Sequence, residues 1–337
     1  MPSRRQSVIL WMTLALVAWS AAASGKAAGA APAKVTMAWV AVSGAQAVAW
    51  IAAEGGHFKQ RGLDVTLEYV SGSPTAAAAL VSGSIQFVEM AGPAVVFADA
   101  HGAHLVMVMG FVNQPVFVLM TTPDVEKPEQ LKGKTVAVTK MGSSDDFMLR
   151  EALSHWGLRP GEDVRITGVG SVAAQVAAVE KRLVQGIVVS PPNDVLAEQA
   201  GARVLARISD LGIPYQASGL VTTREYIQGH ADVVVRVVMA MTEAIHRYKT
   251  DTAFAEKVLA KYLKTSDRKI VEHSYRVYAD VFPSVPAPSA AGMAEIVKEE
   301  TAAGHLTGGI DAASMVDTSF VDALERSGFI ARLYRGR

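Results

Sequence analysis

The sequence predicts an α/β fold of two similar lobes, each a mostly parallel sheet with flanking helices, joined by a two-strand hinge. Three observations predict it. Short apolar runs alternate with longer helical stretches from Lys34 onward, which is the pattern of βαβ units and a parallel sheet. The alternation stops and restarts at Leu131 with matching punctuation. Two segments that look alike, Val118-Leu119-Met120-Thr121-Thr122 and Gly219-Leu220-Val221-Thr222-Thr223, bracket the second run.

In the first half, 35–40 reads as a strand, 46–61 as a helix and 63–70 as a strand. Then 74–82 reads as a helix, 85–90 as a strand, 93–100 as a helix and 105–111 as a strand. The strands are near-continuous apolar runs, as strands covered on both faces are. In the second half the strands are 134–139, 164–169, 187–190 and 203–208, and the helices 144–156, 172–183 and 192–200. Val81-Ser82-Gly83 before Ile85 parallels Val184-Gln185-Gly186 before Ile187. In both halves the following strand ends at a proline, Pro93 or Pro191, a residue suited to a first helical turn. Hinge strands are expected at about 116–121 and 217–223. They divide a first lobe, 34–115 plus 222–337, from a second, 122–216. From Arg224 the chain is mostly helical, with apolar spacing over 231–249, 251–263, 267–279 and 290–303, and 283–288 reads as a loop.

The N-terminus has the order of a secretory signal: Arg4-Arg5, an apolar run over 8–19, then a small-residue stretch from Ala21 to Ala33. The run is short of the about 20 residues that span a bilayer. Residues 1–33 are therefore expected to be a signal peptide and disordered start, cleaved on export. There is no cysteine, which excludes disulfides, thiol nucleophiles and cysteine metal sites. It also leaves nothing to carry a lipid at the new N-terminus. The expected compartment is the periplasm, without a lipid anchor.

Lys plus Arg number 32, as do Asp plus Glu, so charge makes no case for nucleic acid. Gly168-Val169-Gly170-Ser171-Val172-Ala173 matches a dinucleotide-binding fingerprint. The acidic residue that fingerprint wants after the next strand is replaced by Ser190-Pro191-Pro192. His101 and His104 lack a carboxylate partner, the histidines show no zinc spacing, and no nucleophile-elbow motif occurs. No catalytic residue, metal ligand or cofactor is expected.

In open parallel sheets ligands bind beyond the carboxyl ends of the strands, at helix N-termini whose free N–H groups favour acceptors and anions. In the first lobe those loops supply Ser43, Gln46, Ser71, Ser73, Gly92, Asn113 and Gln114 as candidate ligand-binding residues. In the second they supply Gly142, Ser143, Ser144, Asp145, Ser171, Asn193 and Tyr215. Ser, Gly, Asn and Gln offer compact donors and acceptors, although each serine could equally cap a helix. Lys140 is the only cation in these loops. Asp145 either meets an amine or ring N–H of a ligand or only serves the helix dipole. Trp39 either stacks on a ligand or packs in the core.

The segment from Ala52-Ala53-Glu54-Gly55-Gly56-His57-Phe58 through Lys59-Gln60-Arg61-Gly62-Leu63-Asp64-Val65 resembles the first helix and second strand of solute-binding proteins for aliphatic sulfonates, taurine and thiamine precursors. Leu131-Lys132-Gly133-Lys134-Thr135-Val136-Ala137-Val138 resembles that family's entry to the second lobe, and Gly142-Ser143-Ser144 its next ligand loop. The resemblance runs closely from Lys34 to Thr223. It implies a type II-like periplasmic binding protein fold. It further implies a monomer that captures a small polar or anionic molecule (sulfonate, pyrimidine or carboxylate-like), with an ABC permease and its ATPase as partners. A sensory protein of the same fold is the alternative. A thiamine-precursor enzyme is a further one, but such relatives use a cysteine-rich segment that this chain lacks.

Overall fold

The computed structural model describes residues 31–302, 304–307 and 309–335. The expected export segment lies outside these apart from its last residues. The first half forms β1 (Ala33–Trp39), a 3-10 turn (Gly44–Gln46), α1 (Ala47–Glu54), α2 (His57–Gln60), β2 (Leu63–Tyr69), α3 (Ser73–Val81), β3 (Phe87–Met90), α4 (Gly92–Ala100) and β4 (Leu105–Val112). The second forms β5 (Val118–Thr121), β6 (Thr135–Val138), α5 (Ser144–His155), β7 (Arg165–Gly168), α6 (Val172–Glu180), β8 (Gly186–Val189), α7 (Asn193–Gln199) and β9 (Arg203–Arg207). After them come β10 (Ser218–Thr223), α8 (Arg224–Thr250), α9 (Thr252–Leu263), α10 (Arg268–Val281), α11 (Ala290–Ala302), α12 (Ser319–Arg326) and α13 (Phe329–Tyr334).

Two five-stranded sheets result, ordered β2-β1-β3-β10-β4 and β7-β6-β8-β5-β9. The orders are equivalent position by position. β1 pairs in parallel with β2 and β3, and β6 with β7 and β8. The fourth strand of each sheet is antiparallel to both neighbours: β10 in the first, β5 in the second. The two look-alike segments thus fill the same place in opposite sheets. Neither spans the gap; the chain crosses between sheets just before each, after β4 and after β9.

Side-chain patterning explains the packing. Every residue of β4 is buried although the strand is an edge. Its outer side is occupied: Gly110 N–H donates to Pro286 O at 2.9 Å and Asp317 N–H to Met107 O at 3.0 Å, so no open edge is left there. α8 buries Val233, Val234, Val237, Val238, Met241, Ala244, Ile245 and Tyr248, a stripe at helical spacing. Each such large apolar side chain contributes about 1.5–3 kcal/mol when removed from water. The second lobe's core gathers Val118 and Met120 of β5 with Ala137, Val179, Ile187 and Val189.

Local chemistry moves some boundaries. The single helix expected over 46–61 is broken, because Gly56 sits at φ 71° between α1 and α2, a conformation that costs little only without a Cβ. α8 begins earlier than expected. Thr223 accepts the Tyr226 N–H at 3.0 Å, a good N-cap, and the helix passes through a non-helical residue at His230. α12 and α13 were not expected; they are too short for periodicity to reveal. No helix among the described residues is long and apolar enough to cross a membrane.

Candidate functional site

The carboxyl ends of β1, β2, β6, β7 and β8 face one another across the two sheets and enclose a cavity of about 80 Å³. One water needs roughly 10–15 Å³, so the closed cavity accepts a small polar group. In the first lobe β1 runs into a loop tied back by Gln46, whose Oε1 accepts the Val40 N–H at 2.9 Å. Ser43 caps the 3-10 turn by accepting the Ala45 N–H at 3.3 Å. Beyond β2, Gly72 (φ 82°) turns the chain into α3 at Ser73. All four of these sites, Ser43, Gln46, Ser71 and Ser73, line the cavity.

In the second lobe the loop after β6 turns at Gly142 (φ 77°) and enters α5 at Ser144. Ser143, Ser144 and Asp145 line the cavity. Asp145 is turned toward its own lobe. Its carboxylate accepts Thr139 N–H at 2.5 Å, Thr139 Oγ1 at 2.9 Å and Gln175 Nε2 at 3.2 Å. Ser143 Oγ donates to it as well, at 2.5 Å. Burial pushes the Asp145 carboxyl up from its ordinary value, and the bonds from Ser143 and Thr139 act against that. Ser171 also lines the cavity and caps α6 by accepting the Ala174 N–H at 3.2 Å. Ser43 and Ser171 thus fill both expected roles, rim and cap, whereas Ser143 stands at the N-cap of α5 without a capping side-chain bond.

The lobes touch across the cavity. Ser43 Oγ lies 2.7 Å from Ser190 Oγ and 3.1 Å from the Pro191 carbonyl oxygen. The Tyr278 hydroxyl, from α10, donates to the same carbonyl at 3.1 Å. Asn193 Nδ2 donates to Val42 O at 3.1 Å. Ser71 Oγ donates to Gly170 O at 3.0 Å, and Lys140 Nζ reaches back to Ser71 O at 2.8 Å and Thr75 Oγ1 at 2.6 Å. The two lobes are thus in direct contact around the cavity.

Six expected residues stand off the cavity wall. Gly92 packs against α11: a Cβ there would lie 2.6 Å from Ile296 Cδ1. Asn113 is spent on Ala287 O at 2.9 Å, and Gln114 is exposed. Gly142 borders a separate, open and largely apolar groove of about 810 Å³ between α3, α4 and the start of α5, which is larger but lies beside the strand ends. Asn193 serves the lobe contact just described. Tyr215 is wholly buried and stacks on Phe147, ring centroids 5.3 Å apart. Trp39 belongs to the core, packed on Trp50 and Tyr69 with centroids 5.1 and 4.5 Å away.

Sequence reasoning missed Gln175, Tyr69, Phe117 and Tyr278. Gln175 is fully buried and lines the cavity. Its Nε2 ties Ala137 O and Val188 O, at 3.0 and 2.9 Å, to Asp145. A lone glutamine in the Ala/Val helix 172–180 was the signal available. Tyr278 had none, since it meets Ser43 from 235 residues away.

Among the described residues no Lys or Arg lines the cavity. Beside the Asp145 carboxylate and apolar side chains such as Val40 and Phe117, what faces it is hydroxyls, side-chain amides and the starts of helices, whose first N–H groups lack intrahelical partners. Such a set can hold a small acceptor-rich or anionic group by many neutral donors. Among the described residues no cluster of three or more His, Asp or Glu could hold a metal.

The family model described as "NMT1/THI5 like" matches residues 45–251. No curated protein sequence matches the chain significantly. Among solved structures, the chain is similar to the alkanesulfonate-binding protein SsuA from Xanthomonas axonopodis pv. citri bound to MOPS, at 22% identity and TM-score 0.71, covering 86% of this chain and 100% of that one. The periplasmic aliphatic sulphonate binding protein SsuA from Escherichia coli matches at 20% identity and TM-score 0.68, covering 85% and 92%. The periplasmic nitrate-binding protein NrtA from Synechocystis PCC 6803 matches at 16% identity and TM-score 0.73, covering 91% and 90%. These likenesses bear out the two-lobed binding-protein fold.

Proposed function

Because the chain belongs to the NMT1/THI5 like family, we propose that it is an extracytoplasmic solute-binding protein that delivers a small polar or anionic organic molecule to an ABC importer. The single observation that carries this reading is the cavity between the lobes, walled by Ser43, Ser71, Ser143, Ser144, Ser171 and Ser190 at the ends of parallel strands. The solved relatives include binders of alkanesulfonate and nitrate by their names, and both solutes are small anions. A cavity without a fixed cation suits such a ligand through neutral donors and helix N-termini, which stabilise a partly buried anion by about 0.3–2 kcal/mol each. Arg4-Arg5 and the apolar run behind them support export to the periplasm, where a permease and its ATPase would receive the solute.

A thermal-shift panel of sulfonates, pyrimidines, small carboxylates and aromatic acids on the exported chain tests this. A ligand present at about 100 times its Kd stabilises by about 2.7 kcal/mol, a clear rise in the midpoint. A flat response across the panel would contradict the proposed solute class.

A further inference from the structure

On the side of the cavity where α5 of the second lobe passes α11, which packs on α4 of the first, the closed lobes enclose a second space of about 360 Å³. Its wall brings carboxylates from both sides together, Glu151 on α5 and Glu299 and Glu300 on α11, and also carries Arg150, Arg159 and His305. We propose that Glu151 and the α11 carboxyls form a proton-controlled latch, in which the lobes close when Glu151 is protonated and are pushed apart when it ionises.

The charges around Glu151 leave it without a counter-ion. On α11, Lys298 is held by Glu295 and Glu299 at 2.8 and 3.0 Å. His305, beyond α11, lies 2.7 Å from Glu300. On its own helix, Arg150 is held by Asp146 at 2.9 Å. In the following loop, Arg159 is held by Glu162 and Asp163 at 2.5 and 3.0 Å. Among the described residues no cation pairs with Glu151. Like charges on facing elements disfavour one another. Burial, then Glu299, Glu300 and Glu295 in that order, push the Glu151 carboxyl up to about 7, with the Lys298 charge pulling the other way. Burial likewise raises Glu300, against the pull of His305.

The sign follows from linkage. Opening separates α5 from α11 and returns Glu151 toward the ordinary carboxylate value of about 4.3. Closing therefore takes up a proton. The closed form is favoured most below that ordinary value, loses ground as pH rises toward about 7, and levels off above it. Glu151 is partly exposed, so solvent screening reduces the effect. A fall of about ten-fold in the closed-to-open ratio is expected, one pKa unit's worth. The latch rests on the clamp motion of the reading above, but it is independent of which solute is bound.

The chain has no cysteine, so Val81→Cys and Leu183→Cys, exposed positions on opposite lobes, accept spin labels uniquely. Distances between them are measured without solute from about pH 4.5 to about pH 8.5, spanning the linkage window. The ratio of short- to long-distance populations should fall about ten-fold by about pH 7 and then level off. Adding Glu151→Gln should keep it high and flat. Adding Glu299→Lys, which supplies the missing cation, should move the fall to lower pH and remains decisive should the Gln variant not fold. A population indifferent to pH, an unchanged fall in Glu151→Gln, or an unmoved fall in Glu299→Lys overturns the latch. Solute binding is read separately by the thermal-shift panel, so failure of the latch and failure of the binding reading are distinguishable.

Discussion

Ser43 Oγ of the first lobe lies 2.7 Å from Ser190 Oγ of the second, so the wall of the candidate site and the closing contact between the lobes are made by the same hydroxyls. Each hydroxyl stands at the carboxyl end of a strand in equivalent sheets. Ser43 is also the cap of the turn that starts α1. Removing it subtracts a cap, a lobe contact and a cavity donor together.

Ser43→Ala should therefore weaken solute binding by about 0.5–1.5 kcal/mol, a neutral hydrogen bond's worth, and lower stability by about 0.5–2 kcal/mol through the lost cap. Calorimetric titration and a urea melt separate the two. A change in stability with unaltered affinity would take Ser43 out of the site.

Asp145 is held by Thr139, Ser143 and Gln175 within its own lobe, so its first role is to join β6, α5 and α6. Asp145→Ala should cost about 1–3 kcal/mol in a denaturation curve, because buried donors such as the Thr139 N–H lose their acceptor. Full stability with lost affinity would instead make Asp145 a direct ligand contact.

Gly44 is pressed against α10. A Cβ there would meet Ser274 Oγ at 2.3 Å and Tyr278 Cδ2 at 2.4 Å. Gly44→Ala should destabilise by about 1–3 kcal/mol, the usual cost of overpacking. It should also dislodge Tyr278 from the Pro191 carbonyl. A urea melt with an unshifted midpoint would contradict this packing.

Much of the fold was legible because parallel strands leave a strong trace: buried on both faces, they read as apolar runs, and here the runs repeat. The kinship of 118–122 with 219–223 reflects their equivalent places, fourth in each sheet, although the sequence read them as hinge strands. What was not legible is where the chain crosses, since pairing in β5 and β10 is decided by neighbours distant in sequence. The site was half legible. Serines at helix starts face the cavity because strand ends converge there. Gly92, Asn113 and Tyr215 occupy similar loops but are claimed by α11, Ala287 and Phe147, partners that no local pattern announces. Tyr278 was invisible for the same reason.

The central claim is that solute is held in the cavity between the lobes. Ser144, half-buried at the start of α5 on the cavity wall, gives the most direct test. A phenyl ring at Ser144→Phe would fill a space of about 80 Å³. Calorimetric titration of the best solute from the thermal-shift panel should show binding to the unmodified chain, and affinity at least about 100-fold weaker (about 2.7 kcal/mol) in a Ser144→Phe protein that still melts cooperatively. Unchanged affinity in that folded variant would place the solute elsewhere and contradict the account.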